Sequence, residues 1–250
     1  MRDNNEMDAL KVIQPLYEDN HILVVVKPPN MLTQGDDTGD PDLLSFVREY
    51  IRISRSKPGE AYVGLVHRLD RPVGGLVVFA LTSKAASRLS DQVRMHSMAR
   101  EYLAVCENGS TLPEHGTVSG FLYEQDGFVK STDHEKTGSK RATLTYQVIS
   151  RNNVDDSALV HICLETGRKH QIRVQMASIG HPLKYDMRYG NGVRGKSIGL
   201  WGAVQRIQHP TLKKPMCFTS LPDTEVFGPY RNDIKRFLET MIETESVGSD

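Results

Sequence analysis

The chain is poor in the features that mark several protein classes. It has three cysteines, Cys106, Cys163 and Cys217, an odd number at wide spacing and with no C-x-x-C pair. That pattern excludes a disulfide scaffold and a structural zinc knuckle, and it fits a reducing compartment. There is one tryptophan, and aromatic residues make up only 7%. No apolar run approaches membrane-spanning length, and the polar start Met1-Arg2-Asp3-Asn4-Asn5-Glu6 has no apolar signal core. No H-E-x-x-H and no strand–glycine–helix dinucleotide fingerprint is evident, so nucleotide-cofactor and metal-dependent enzymes are discounted. Net charge is also absent, with 31 Lys+Arg against 31 Asp+Glu. These absences predict a cytoplasmic protein.

The charge that is present is unevenly placed. Between Gly167 and Lys214 lie Arg168, Lys169, Arg173, Lys184, Arg188 and further cations, with Asp186 as the only acid. The compensating acids cluster at the ends, so a neutral chain can still present one basic face to an anionic partner. A solvated surface with scattered cations is the plainer alternative.

Hydrophobic periodicity outlines the elements. Ile22–Val26 is a β-branched run that stops at Pro28-Pro29, the pattern of a strand. Leu43–Ile53 and Ser83–Met95 carry helical stripes, and Asn232–Ile242 predicts a last helix on Ile234, Phe237, Leu238 and Met241. Tyr102–Cys106, Ala142–Val148 and Val160–Leu164 have the strand period. Gly109–Lys140 is polar and irregular, and predicts a flexible excursion. Lys169–Ile179 predicts a helix stopped by Gly180, with Arg168, Lys169 and His170 in its first turn. Cations there oppose the helix dipole, so an external anion is expected to compensate them.

Strands dominate the middle and no βαβ rhythm is visible, which predicts an α+β fold with a mixed, mainly antiparallel sheet. One domain over residues 11–242 is expected, with flexible termini at 1–10 and 243–250.

The most informative stretch is His67-Arg68-Leu69-Asp70-Arg71-Pro72-Val73-Gly74-Gly75-Leu76, followed by the apolar run to Ala80. An aspartate before a Pro-Gly turn is often only a turn former, and its arginines only surface ion partners. Placed between cations at the mouth of a strand, it also suits an ionised group facing a ligand. Two further stretches stand out. Arg100-Glu101-Tyr102 puts a ring at a strand start, where it can pack in the core or stack on a base. Thr166-Gly167-Arg168-Lys169-His170-Gln171-Ile172-Arg173 holds an arginine that, if it points inward, needs a carboxylate partner.

In order and spacing these three stretches resemble the motifs of RluA-type RNA pseudouridine synthases. So do Val24–Asn30, with Lys27-Pro28, and Gly180-His181-Pro182-Leu183 followed by Asp186 and Tyr189-Gly190. The resemblance runs from about Tyr17 to Phe227. It implies a catalytic domain with a large mixed sheet split by a central cleft, and isomerisation of uridine in ribosomal or transfer RNA without metal, cofactor or cosubstrate. It makes Asp70 the catalytic aspartate, with Tyr102 stacked on the target uracil and Arg173 paired with Asp70. His67, Arg68, Arg71, Arg168, Lys169, His170, Lys184 and Arg188 are the expected RNA contacts, mostly through phosphate.

The chain departs from the family pattern at several positions. Val73-Gly74-Gly75 replaces the common Thr-Ser-Gly, Lys169 a usual threonine, Gln175 a common histidine, Tyr185 a usual glycine and Arg100 a usual lysine. The appended S4-type domain of many relatives has no room here. A monomer that does not bind membranes is expected. The alternative from another class is a catalytically idle RNA-binding or RNA-chaperone module on the same fold, which would not need Asp70.

Overall fold

The computed structural model describes residues 9–56 and 58–246. Expectations for residues 1–8 and 247–250 fall outside the described residues. The fold is α+β; the ladders among the strands between Pro15 and Ala80 and among those between Ala99 and Leu164 are antiparallel, with one isolated parallel bridge between Leu32 and Asp42. The chain divides into two compact units: residues 1–98 with 205–220, and residues 99–204 with 221–250.

In the first unit, residues 9–12 form a helical turn, α1, whose Ala9 is buried. Strands β1 (Pro15–Glu18), β2 (Ile22–Lys27), β3 (Gly64–Leu65) and β4 (Gly74–Ala80) follow, with helices α2 (Leu43–Ser54) and α3 (Ser83–Arg94). β2 pairs with β1 and β4, and β3 also pairs with β4. Every residue of β4 is buried, as the unbroken apolar run Leu76–Ala80 requires. Each helix starts on a side-chain cap: Asp42 accepts from the Ser45 N–H, and Thr82 from the Ala85 N–H, both at 3.1 Å. Ala85 and Leu89 of α3 pack with Ile22, Val24, Leu76 and Val78 in one core. That core fixes the end of β4 from which the Asp70 turn departs.

The second unit contains β5 (Ala99–Glu107), β6 (His115–Gln125), β7 (Phe128–Thr132), β8 (Lys140–Asn152) and β9 (Ser157–Leu164), hydrogen-bonded in the order β5-β9-β8-β6-β7. Helices α4 (Gln171–Ser178) and α5 (Arg231–Ser246) belong to it. β10 (Leu200–Gln208) has its first residues here and its last in the first unit, where β11 (Pro215–Thr219) pairs with it. α5 covers the expected last helix and continues to Ser246, past the residue 243 at which a flexible tail is expected.

Two expectations are corrected here. Gly109–Lys140 is not an irregular excursion. It contains a short 3-10 turn, β6 and β7, and β6 pairs with β8 from His115↔Gln147 to Leu122↔Lys140. Most β6 side chains are exposed or half-buried, so the segment lacks the apolar alternation that reveals a strand. The local signal is Asp126-Gly127, both at positive φ (51° and 75°), between the paired residues Gln125 and Phe128. That is a two-residue hairpin turn.

The second correction concerns Arg168, Lys169 and His170, which precede helix α4 rather than forming its first turn. His170 is the residue before the helix, in the left-handed region at φ 53°. The Gln171 side chain holds the approach out of the helix. Its Oε1 accepts from the Arg168 N–H (3.0 Å) and the Thr166 hydroxyl (2.8 Å), while its Nε2 donates to the Thr143 carbonyl of β8.

Candidate active site

The Asp70 loop is built on a buried lysine. Lys27 ends β2 opposite Gly75 of β4, and its side chain is fully buried. Its ammonium donates to the carbonyls of Pro28 (3.0 Å), Met31 (2.7 Å) and Arg71 (3.1 Å). Burial pushes its pKa down to about 7, and the Asp70 charge acts in the opposite sense. Thr33 ties the other side of the loop: it accepts from the Leu69 N–H (3.2 Å) and donates to the Leu69 carbonyl (2.8 Å). A turn closes from the Val73 N–H to the Asp70 carbonyl at 3.0 Å. Leu69 and Val73 are buried on either side, while Asp70 is half-buried. The loop therefore fixes the backbone of Asp70 and leaves the residue half-buried rather than enclosed. Gly75 takes φ 126°, which only glycine adopts readily, so the second glycine of the motif is a backbone requirement.

The neighbours of Asp70 differ in kind. His67 is buried, and its Nε2 accepts from the Val78 N–H of β4 at 3.1 Å. That bond places its proton on Nδ1 and makes it a brace for the strand. Arg68 is exposed. Arg71 is also exposed and pairs with Asp40 at 2.7 Å.

Lys27 leads to a test by pH. In the unfolded chain it titrates near 10, so between pH 7 and 10 the unfolded state holds more protons on this residue. Wild-type stability relative to Lys27→Met is expected to rise across that window. At pH 7 the variant, with three carbonyls deprived of their donor, is expected to be less stable by about 1–3 kcal/mol. Urea unfolding of both proteins at pH 7 and pH 9 measures both effects. A pH-independent difference would refute the assignment of a depressed lysine.

In the second unit, Tyr102 lies in β5 opposite Ile162 of β9 and is only 7% exposed. Arg173 points inward from α4 and is met by Asp186, with Nε–Oδ2 at 2.9 Å and Nη2–Oδ1 at 2.8 Å. Burial alone would raise the Asp186 pKa. The bonds and charge of Arg173, with the N–H groups of Arg188 and Tyr189, overcome it and hold the carboxyl below the usual range. The Asp186 segment hangs from β5, through Glu107 N–H to Pro182 O (2.9 Å) and Lys184 N–H to Val105 O (2.8 Å).

Around this pair Tyr189 is a hub. The Arg173 guanidinium lies 5.2 Å from its ring centroid, and its hydroxyl meets His170 Nδ1 (2.7 Å) and the Val129 N–H (3.2 Å). Arg188 lies over the Phe128 ring at 4.6 Å and donates to the Gly127 carbonyl. Arg168 donates to the Arg141 carbonyl, Lys169 pairs with Glu124, and Lys184 pairs with Asp155. A cavity of about 420 Å³ opens beside this loop, lined by Tyr123, Lys140, Arg168 and Lys169 over the apolar Leu122 and Val129. His170 and Arg173 thus gather around Tyr189, Arg188 is held by Phe128 and Gly127, Arg168 and Lys169 line the cavity, and Lys184 is spent on a carboxylate.

Sequence reasoning missed three contributors. Lys27 had no assigned role, although it closes an apolar strand before Pro-Pro. Asp186 was legible as the only acid in the basic stretch. Gln171, which shapes the 166–170 loop, carried no signal. Three glycines, Gly190, Gly192 and Gly195, have the spacing of the dinucleotide fingerprint. They sit in loop with neither a strand before nor a helix after, so they bind no pyrophosphate in that manner. Tyr185 takes φ 62°, a left-handed conformation that glycine adopts without strain.

The RNA pseudouridylate synthase model matches residues 21–178, which include the Asp70 loop, Tyr102 and Arg173. The chain belongs to this family. Relatives of this pseudouridylate synthase chain include an uncharacterized RNA pseudouridine synthase of Bacillus subtilis, 34% identical over 76% of this chain and 64% of that protein. A ribosomal large subunit pseudouridine synthase D of Zymomonas mobilis is 33% identical over 71% of this chain and 56% of its own length. A tRNA pseudouridine synthase C of Yersinia pestis is 34% identical over 72% and 71%. The first two relatives are thus matched over less than two thirds of their length. The fold agrees with that of human RNA pseudouridylate synthase domain containing 4, with a TM-score of 0.73 at 20% identity, over 89% of this chain and 94% of that one. These relatives bear out the RluA-type resemblance.

Proposed function

We propose that this protein isomerises uridine to pseudouridine within ribosomal or transfer RNA, with Asp70 as the reacting carboxylate. The observation that carries the proposal is the Asp70 loop. Its backbone is held by buried Lys27 and Thr33, and Asp70 itself keeps part of its surface exposed between the buried Leu69 and Val73. A merely structural aspartate would not need a buried ammonium to fix the next residue.

The reaction breaks the C1′–N1 bond, turns the base and joins C1′ to C5. No atom is gained or lost, so no cosubstrate is required. C1′ becomes electron-poor as the bond breaks, and an ionised carboxylate can stabilise that charge, attack it or take a nearby proton. The role assigned to Arg173, by the motif resemblance, is to counter the charge of that carboxylate. A ring face holds a freed base without locking its in-plane angle, which suits Tyr102. A uridine inside a helix is out of reach of such a group and must be extruded, so loops and bulges are the expected targets.

Arg68, Arg71, Arg168, Lys169, His170, Lys184 and Arg188 are assigned to the RNA. Exposed ion pairs such as Arg71–Asp40 and Lys169–Glu124 contribute little, and phosphate can displace their carboxylates. His67 is assigned with them by motif, through the loop it braces.

The test is a pseudouridine map of total RNA from cells with and without the gene. A site lost on deletion, restored by the intact gene and not by Asp70→Asn, is the expected result. An unchanged map would overturn the proposal.

A further inference from the structure

Glu101, His161 and Cys163 form a cluster with no part in the chemistry above. The β5–β9 ladder sets Glu101 directly opposite Cys163, and His161 lies two residues along the same strand. Strand alternation puts all three side chains on one face of the sheet. The His161 Nε2 atom is 2.7 Å from Glu101 Oε2 and 3.6 Å from Cys163 Sγ. One ligand atom from each residue falls within 4.8 Å of both others. The Phe237 ring of α5 packs on the imidazole, with centroids 4.7 Å apart. Glu101 and His161 keep 10% and 12% of their side-chain surface exposed, so the cluster is enclosed yet reachable.

The geometry separates two uses of such a set. A nucleophile relay needs the two ring nitrogens to serve different partners, one the thiol and the other the carboxylate. Here carboxylate and sulfur approach the same nitrogen. Three donors converging on one point describe the surroundings of a single cation rather than a path for a proton. We propose that Glu101, His161 and Cys163 form a binding site for a divalent transition-metal ion, zinc(II) by preference.

A mixed N, O and S donor set suits zinc and disfavours magnesium and calcium, which prefer all-oxygen shells. Zinc bonds of about 2.0–2.3 Å fit between these atoms after small side-chain rotations. Three protein ligands leave one position for water. On binding, the Cys163 thiol and His161 Nε2 each give up a proton to solvent, and sulfur and nitrogen take the metal in their place. The ion would clamp β5 to β9. The inference is independent of the proposed isomerisation, because it concerns binding alone.

The full-length protein, freed of metal by chelation, is titrated with cobalt(II) as a spectroscopic probe. The expected result is a near-ultraviolet thiolate-to-cobalt band that saturates at one equivalent. It is expected to vanish in Cys163→Ser and to require at least tenfold more cobalt in His161→Ala, while Cys217→Ser retains it. Zinc(II) is expected to raise the melting temperature of the wild type and not that of Cys163→Ser. Absence of the band, or its persistence in Cys163→Ser, overturns the proposal. Circular dichroism of Cys163→Ser, a near-isosteric change, shows whether it is folded, and an equal zinc-induced shift in both proteins also counts against the site.

Discussion

Asp70→Asn is expected to lower the rate of pseudouridine formation by at least about 10³-fold, equivalent to about 4 kcal/mol of transition-state stabilisation. RNA affinity is expected to stay within about twofold, since phosphate contacts dominate binding. The change swaps one oxygen for an amide nitrogen and leaves the loop intact. The Val73 N–H still finds the residue-70 carbonyl, the Thr33 bonds involve only Leu69, and Lys27 is bound to three backbone carbonyls. What disappears is the negative charge. An amide cannot stabilise an electron-poor C1′ as an anion does, nor attack it, nor take a proton from it. The measurement is single-turnover pseudouridine formation on a mapped RNA, alongside filter binding and urea unfolding. Activity within tenfold of wild type in a folded variant would remove Asp70 from the chemistry and favour a carboxylate elsewhere. Complete inactivity of both proteins on every mapped RNA would instead favour the idle RNA-binding module.

The second large effect concerns stability. Asp186→Asn is expected to destabilise the protein by about 3–5 kcal/mol, because it takes away the buried carboxylate to which Arg173 Nε and Nη2 donate. The pair is almost wholly buried, with side-chain exposures of 6% and 0%. The asparagine also loses charge toward the N–H groups of Arg188 and Tyr189, which the carboxylate now accepts at 2.9 and 3.2 Å. Replacing both partners, in Arg173→Met with Asp186→Leu, is expected to recover part of the loss, since neither member of the pair is then buried without the other. The pH dependence has a definite sign. A carboxyl held below its unfolded value stabilises the fold above about pH 4 and loses that contribution as pH falls through the folded value. Asp186→Asn is therefore expected to flatten the acid limb of the stability curve. Urea unfolding at pH 7 and pH 3.5 reads both effects, and equal stability of wild type and Asp186→Asn at pH 7 would refute the buried-pair reading.

The parts legible in the sequence were those governed by neighbours along the chain. The runs Ile22–Val26 and Leu76–Ala80 are apolar because both faces of β2 and β4 are covered, and such runs read as strands without knowledge of their partners. Helices α2 and α3 announce themselves by Asp42 and Thr82 at their caps and by residues spaced four apart beneath them. The Asp70 turn was visible because acid, proline and glycine stand within a few residues. β6 was not visible: its side chains mostly face water, and it is a strand because β8 lies beside it. The start of α4 was misjudged because the Gln171 side chain, bonded back to residues 166 and 168, competes with helical hydrogen bonds there.

The sequence by itself determined the chemistry on offer: an aspartate between cations, a tyrosine at a strand start, an arginine that needs a carboxylate if it points inward, and widely spaced reduced thiols. Only the tertiary structure decided which charges meet. It gave Arg173 the carboxylate of Asp186, put Lys27 under the Asp70 turn, and brought Glu101 from one strand to His161 and Cys163 of another. The physical reason is range. Backbone propensity and apolar period act over a few residues and are written locally. A buried charge takes whichever partner the folded backbone carries to within about 3 Å, and that partner can lie anywhere in the chain.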